Sequence, residues 1–168
     1  MITELGLDCG DVCLKEVIPI SDNMTCVDLF EQISDKSPEL IEKTLTGFVE
    51  NTIKPQKQCE DGVCMANKLT KEETLIDWSK PAEEIHNLVR GIYKFPSAYF
   101  KYNDKAVKVL ETRVVEGSAP CGEFVRASKE GVIVGCAKDC ILLVKVKPEG
   151  KGEMSAKDWA NGQRVIAK

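Results

Sequence analysis

Apolar residues recur along this chain with two different periods, and the change from one to the other divides it. Over the first fifty positions the helical period dominates. Thr25 can cap a helix on which Val27, Phe30 and Ile33 recur at three-residue spacing. Ser37 and Pro38 offer a second cap and a first-turn proline, so Pro38 either kinks one helix or divides two. Beyond it Ile41, Leu45 and Phe48 fall on one face, which needs a sheet or another helix to cover it. Upstream, Val12, Val17, Ile18 and Ile20, with Pro19 near the close, predict a single strand over 11–20 running into a loop. One strand and a helix cannot bury both faces of a layer. Residues 1–52 are therefore expected to be the end of a larger α/β domain that begins before Met1. Residues 53–67 are polar and show neither period, which predicts a linker.

Thr70 followed by Glu73 is a capping-box pattern, and Ser79 with Pro81 predicts the start of a helix carrying Ile85, Leu88, Val89 and Ile92 on one stripe. Gly91 and Pro96 help to end it. The period then becomes two: Val107 and Val109 alternate with Lys108, and Leu142, Val144 and Val146 with Lys145 and Lys147. Five strands are predicted, over 98–102, 106–115, 122–127, 131–135 and 140–146. Turns fall at Asn103-Asp104, Lys129-Glu130 and Lys138-Asp139. Short strands at this spacing favour a small antiparallel barrel. Ser155 can cap a last helix supported by Asp158 and closed by Gly162.

Composition adds three constraints. The 168 residues are 43% hydrophobic, enough for a packed core, yet no apolar run approaches the ~18 residues of a membrane span. With no signal-like segment at Met1, the expected location is the cytoplasm, without a membrane partner. The net charge of −4 conceals an asymmetry: residues 1–67 hold 5 Lys/Arg against 13 Asp/Glu, and 68–168 hold 18 against 14. The eight cysteines (Cys9, Cys13, Cys26, Cys59, Cys64, Cys121, Cys136 and Cys140) lack the paired C-x₂-C spacing of a zinc site, and His86 is the one histidine. Neither a disulfide framework nor a metal site is expected.

Several segments, in order, resemble methionyl-tRNA formyltransferases. Gly6-Leu7-Asp8-Cys9-Gly10-Asp11 is similar to the Gly-Leu-Asp-Thr-Gly-Asp loop near the end of that family's catalytic domain, with Cys9 in the usual threonine position. Lys68-Leu69-Thr70-Lys71-Glu72-Glu73 with Ile76-Asp77-Trp78 resembles the entry to its C-terminal domain, and Ala82-Glu83-Glu84-Ile85 through Arg90-Gly91 the helix that follows. Tyr93-Lys94-Phe95-Pro96 departs from the family's Asn-Pro-Trp-Pro. Lys105 to Val109 resembles the next strand, and Gly152-Glu153-Met154-Ser155-Ala156-Lys157-Asp158 the closing motif.

The resemblance implies an α+β chain. Residues 1–52 would be the remnant of a Rossmann-like α/β formyltransferase domain and 68–168 an OB-like open β-barrel. It implies formyl transfer from 10-formyltetrahydrofolate to the amino group of methionine on initiator Met-tRNA. Attack by an amine on a formyl carbon creates a tetrahedral oxyanion, which needs a hydrogen-bond donor and a group to manage the amine proton. In the family an asparagine and a histidine fill these roles, and an aspartate that accepts from the histidine fixes its orientation and favours its charged form.

Asp8 matches that aspartate; on residue type alone it is equally a turn aspartate. No Asn-x-His arrangement occurs in the sequence, so the other two groups are expected before Met1, and His86, beside the helical stripe, is not their substitute. The barrel is implied to hold tRNA through its phosphates, for which Lys68, Lys71, Lys80, Arg90, Lys94, Lys145 and Lys147 are the candidates. Tyr93, Phe95, Tyr99, Phe100 and Tyr102, interleaved with Lys94 and Lys101, could stack unpaired bases or pack in a core. Two alternatives stand beside this reading: a non-catalytic RNA-binding module, and part of an amino-sugar formyltransferase, against which Met154-Ser155-Ala156 leans towards tRNA. Weak self-association through the uncovered apolar face of 1–52 is a further expectation.

Overall fold

The computed structural model describes residues 1–165, so the last three positions of the expected 68–168 domain lie outside the described residues. The chain divides into two compact units, Met1–Lys68 and Leu69–Lys168. Each is described by itself.

The first unit is organised around one helix, α1 (Cys26–Val49). Thr25 caps it, the Asp28 amide donating to Thr25 Oγ1 at 3.3 Å while the Thr25 backbone N–H donates to Asp28 Oδ2 at 2.9 Å. The Thr25 hydroxyl, donating to Asp28 Oδ2 at 2.7 Å, and then the Thr25 amide hold the Asp28 carboxyl below its usual range. Pro38 lies inside the helix and does not divide it. Ser37 is no cap; its hydroxyl donates to the Ile33 carbonyl at 2.6 Å, one turn back, and the helix runs on. It ends where Gly47, its buried residue, accepts from the amides of Thr52 and Ile53 while the Ile53 side chain lies against its Cα. The strand predicted over 11–20 is absent. Only Val12 pairs, in an isolated antiparallel bridge with Gln56, because Val17 and Ile20 face solvent with no neighbouring strand to accept them. Phe30, Ile41, Leu45 and Val49 are also exposed, which leaves the apolar stripe of α1 uncovered within its own unit.

The second unit is a curled antiparallel sheet flanked by helices. Its elements are β1 (Tyr99–Tyr102), β2 (Lys105–Val115), β3 (Phe124–Ala127), β4 (Val132–Gly135), β5 (Cys140–Pro148) and β6 (Met154–Ser155), with α2 (Ala82–Gly91) before and α3 (Ala156–Gln163) after. The order is β1-β2-β5-β4-β3, and β6 pairs with β5. The five strands anticipated from period two are present, and β6 is an addition too short for any pattern to reveal. Asn103 and Asp104 both take positive φ, 49° and 60°, between the paired Tyr102 and Lys105, forming the two-residue turn that matches strand twist. Register shifts on both sides of Glu111 bend β2, so that Val107 and Val109 are buried and then Leu110 and Thr112. The outer side of β1 is met by a parallel bridge from Leu75, and the Ile76 amide donates to the Tyr99 carbonyl at 2.7 Å. At the other end of the sheet β3 carries its own register shift between Phe124 and Arg126.

Two helix ends differ from expectation. Ser79 does not cap α2; its amide and hydroxyl bind Asp77 Oδ1 at 2.9 and 2.6 Å, lowering the Asp77 pKa, and Pro81 takes the cap position. Gly162 does not close α3. The helix runs one residue further and Arg164 adopts the left-handed conformation, φ 54°. Helices and sheet meet in one core. Ile85 and Val89 from α2, Val107, Val109, Ile141, Leu143 and Val146 from the sheet, and Trp159 and Ala160 from α3 are all buried in it.

Candidate functional site

The expected catalytic residue, Asp8, lies in an exposed loop with φ 50°. Gln58 pins that loop: its side-chain N–H groups donate to the backbone carbonyls of Asp8, at 2.8 Å, and Gly10, at 2.7 Å. Gly10 is required there because a Cβ would run into the Ile2 carbonyl. The beginning of the presumed linker, Ile53 to Gln58, is thus built into the first unit. Gln58 was invisible to sequence patterning, being one polar residue in a polar run. His86 is elsewhere, on α2, where its Nδ1 lies 2.8 Å from Thr112 Oγ1 and both residues are buried. It packs α2 onto β2. Asp8 is exposed, and the first unit holds neither a histidine nor an Asn-x-His sequence.

The cysteines form no metal cluster among the described residues, and all eight are free thiols. Cys136 is pushed up to about 11 by burial and by the neighbouring Cys140 and Cys121 thiols, so at pH 8 it remains protonated and unreactive. Brief iodoacetamide treatment at that pH is expected to modify the exposed Cys9, Cys59, Cys64 and Cys121 and to spare Cys136 and Cys140 until the chain unfolds. Peptide mass spectrometry reads the order; early labelling of Cys136 would mean that the β4–β5 hairpin opens in the native state.

The basic candidates separate into groups. Lys71 and Lys147 line one groove of about 650 Å³ in the second unit, and with them come Lys108 and Lys151, which the sequence reading did not select. Register explains the cluster. Tyr99 pairs with Lys108 across β1–β2 and Lys108 with Lys147 across β2–β5, so the three side chains stand in one row on one face of the sheet. The 3₁₀ turn Glu72–Thr74 holds Lys71 at the groove: the Thr70 amide donates to Glu73 Oε2 at 2.8 Å, which lowers the Glu73 pKa, and Thr74 Oγ1 donates to the Lys71 carbonyl at 2.8 Å. Among the described residues none of the four lysines is ion-paired with a carboxylate. The one acid lining the groove, Glu149, receives the Ala106 amide at 3.3 Å. Leu69, Phe95, Pro96, Tyr99 and Pro148 supply an apolar floor.

The remaining candidates lie outside this groove. Lys145 is half-buried on β5 opposite Glu111 and Ser155. Lys80 pairs with Glu84 at 3.9 Å, Arg90 Nε donates to Asn87 Oδ1 at 2.7 Å, and Lys94 Nζ sits 5.3 Å from the centre of the Tyr93 ring. Lys68 is exposed at the end of the first unit. Of the aromatic residues, Phe100 and Tyr102 belong to the core cluster and Phe95 is 90% exposed.

The family model described as "Formyl transferase, C-terminal domain" matches residues 68–164. The chain is 36% identical over 167 residues to a methionyl-tRNA formyltransferase of Clostridium perfringens, covering 98% of this chain and 54% of that protein. It is 37% identical over 168 residues to one of Clostridium botulinum, with the same coverage. It thus spans about half the length of the curated relatives it matches. Among solved structures, a HypX variant from Aquifex aeolicus superposes with a TM-score of 0.74 at 17% identity, over 99% of this chain and 30% of that one. An N-formyltransferase from Helicobacter canadensis, crystallised with folinic acid and dTDP-3-aminofucose, does so with a TM-score of 0.58 at 21% identity, over 83% and 51%. At those identities the likeness is one of fold. The matched domain covers more than half of the sequence, and the chain belongs to the formyltransferase family, in which it is similar to methionyl-tRNA formyltransferases.

Proposed function

We propose that this chain is the tRNA-holding part of a methionyl-tRNA formyltransferase working in the cytoplasm. In this reading the second unit is the family's OB-like barrel and grips the phosphates of initiator Met-tRNA. The first unit is the end of a Rossmann-like catalytic domain, to which Asp8 contributes the orienting carboxylate. Formyl transfer from 10-formyltetrahydrofolate needs an asparagine and a histidine that this sequence does not supply, so the reaction belongs to the whole enzyme and the 168 residues alone bind without turnover. The uncovered apolar stripe of α1 is the surface through which copies would associate weakly.

The observation that carries the reading is the groove of Lys71, Lys108, Lys147 and Lys151, four lysines against one lining carboxylate, Glu149. Like charges directly opposite on neighbouring strands, as in the Lys108–Lys147 pair, are unfavourable in the free protein. A phosphate between them turns that repulsion into attraction. The amino-sugar alternative draws on the Helicobacter canadensis enzyme, at lower identity than the methionyl-tRNA formyltransferases.

The test is a salt titration of tRNA binding. Log affinity should fall linearly with log salt, and Lys108→Ala with Lys147→Ala should flatten the slope by about one unit per lysine. A slope near zero, or one unmoved by the double substitution, removes the phosphate-binding reading.

A further inference from the structure

We propose that the groove is a seat for one unpaired RNA nucleotide, whose base stacks on Phe95 while the flanking phosphates lie on Lys71, Lys108, Lys147 and Lys151. The inference rests on the tRNA-binding reading and specifies what that site recognises. Three observations carry it. The volume of about 650 Å³ is in the range of small-molecule sites and well above what a bare phosphate fills. Phe95, which lines it, is 90% exposed and lies between Lys94 and Ser97, both at positive φ, 66° and 73°. An aromatic ring left in water has a free π-face, and stacking with a base is largely indifferent to which base it is. The groove combines four lysines with an apolar lining, as suits a ligand with both charged and planar parts.

A paired helix does not meet this geometry. Its bases are stacked on one another and its phosphates alone reach the protein, so the floor of Phe95, Pro96 and Tyr99 would stay in water. An acidic peptide would satisfy the lysines but presents no flat surface to the ring. An unpaired nucleotide satisfies both. The single lining acid, Glu149, accepts from the Ala106 amide at 3.3 Å and is outnumbered by the four lysines.

The experiment uses the 168-residue chain and three fluorescent probes: a single-stranded RNA tetranucleotide, a blunt RNA duplex and an oligoglutamate. Phe95→Ala, at a solvent-exposed position, leaves the fold intact. It is expected to weaken the tetranucleotide roughly 5- to 100-fold, the range for loss of one base stack, with duplex affinity and salt slope unchanged within twofold. Phe95→Tyr should restore binding. Equal loss for tetranucleotide and duplex, no loss for either, or an equal effect on the oligoglutamate overturns the nucleotide seat. In those cases steep, lysine-dependent tRNA binding still sustains the proposed function, whereas failure of every RNA to bind removes both.

Discussion

Trp159→Ala is expected to cost the second unit about 3–5 kcal/mol, enough to unfold a large fraction of a domain of ordinary stability. Trp159 is 3% exposed and stands at the centre of a ring cluster, with centroids 5.5 Å from Phe100, 5.3 Å from Tyr102 and 5.8 Å from Phe124. Two of these contacts are edge-on, a geometry worth about 0.5–1.5 kcal/mol per pair beyond the area buried. Removing the indole also detaches α3 from the sheet, since Trp159 and Ala160 are its principal buried residues beside Ala156. Urea unfolding followed by circular dichroism measures the loss, and Trp78 remains as an independent fluorescent reporter. Trp159→Phe keeps a ring in place and should lose clearly less. A midpoint shift worth under about 1 kcal/mol for the alanine variant would show that the cluster rearranges to fill the space.

The second large effect comes from the smallest side chain. Gly131 is buried at the entry to β4, and a Cβ there would collide with the Leu143 carbonyl of β5. The obstacle is backbone, and it cannot swing aside as a side chain could. Gly131 is fixed from the β3–β4 turn as well: its amide donates to Ser128 Oγ at 3.1 Å and its carbonyl accepts the Ser128 amide at 2.7 Å. Gly131→Ala must part β4 from β5, at a cost of about 3 kcal/mol or more, the upper end of overpacking. Gly152→Ala is the control, because a Cβ at that position meets nothing within 4 Å and the change should stay within about 0.5 kcal/mol. Equal thermal midpoints for the two variants would refute the argument.

Local chemistry was legible in the sequence and pairing between distant segments was not. The cap at Thr25, the tight turn at Asn103-Asp104 and the alternation of Val107, Lys108 and Val109 each depend on residues within four positions of one another, and each reads correctly. The 11–20 segment misleads because β-branched residues favour an extended chain whether or not a neighbour exists to complete the ladder, and here the ladder is a single bridge to Gln56. Pro38 is ambiguous for a related reason: a missing N–H can end a helix or be absorbed by it, and nothing in the local pattern decides. The candidate site shows the same boundary. Lys147 was chosen from its strand and Lys71 from its motif. Lys108 became visible only through the register that sets it opposite Lys147, which depends on how a bent β2 meets β5 across more than thirty residues of chain. Lys151 lies in the turn after β5, with no period to mark it.

The margins of the sheet have a consequence for how crowded molecules of this protein behave. A strand with one unpaired side is a template on which a foreign chain can add, the first step towards amyloid-like assembly. The Leu75 bridge occupies that side of β1, and the irregular register of β3 spoils the straight row of donors and acceptors that such addition requires. Both strands are four residues long, too short to hold an incoming segment firmly. The domain can therefore keep an incompletely closed sheet, with its lysine-lined surface accessible, and still resist polymerising through its own backbone.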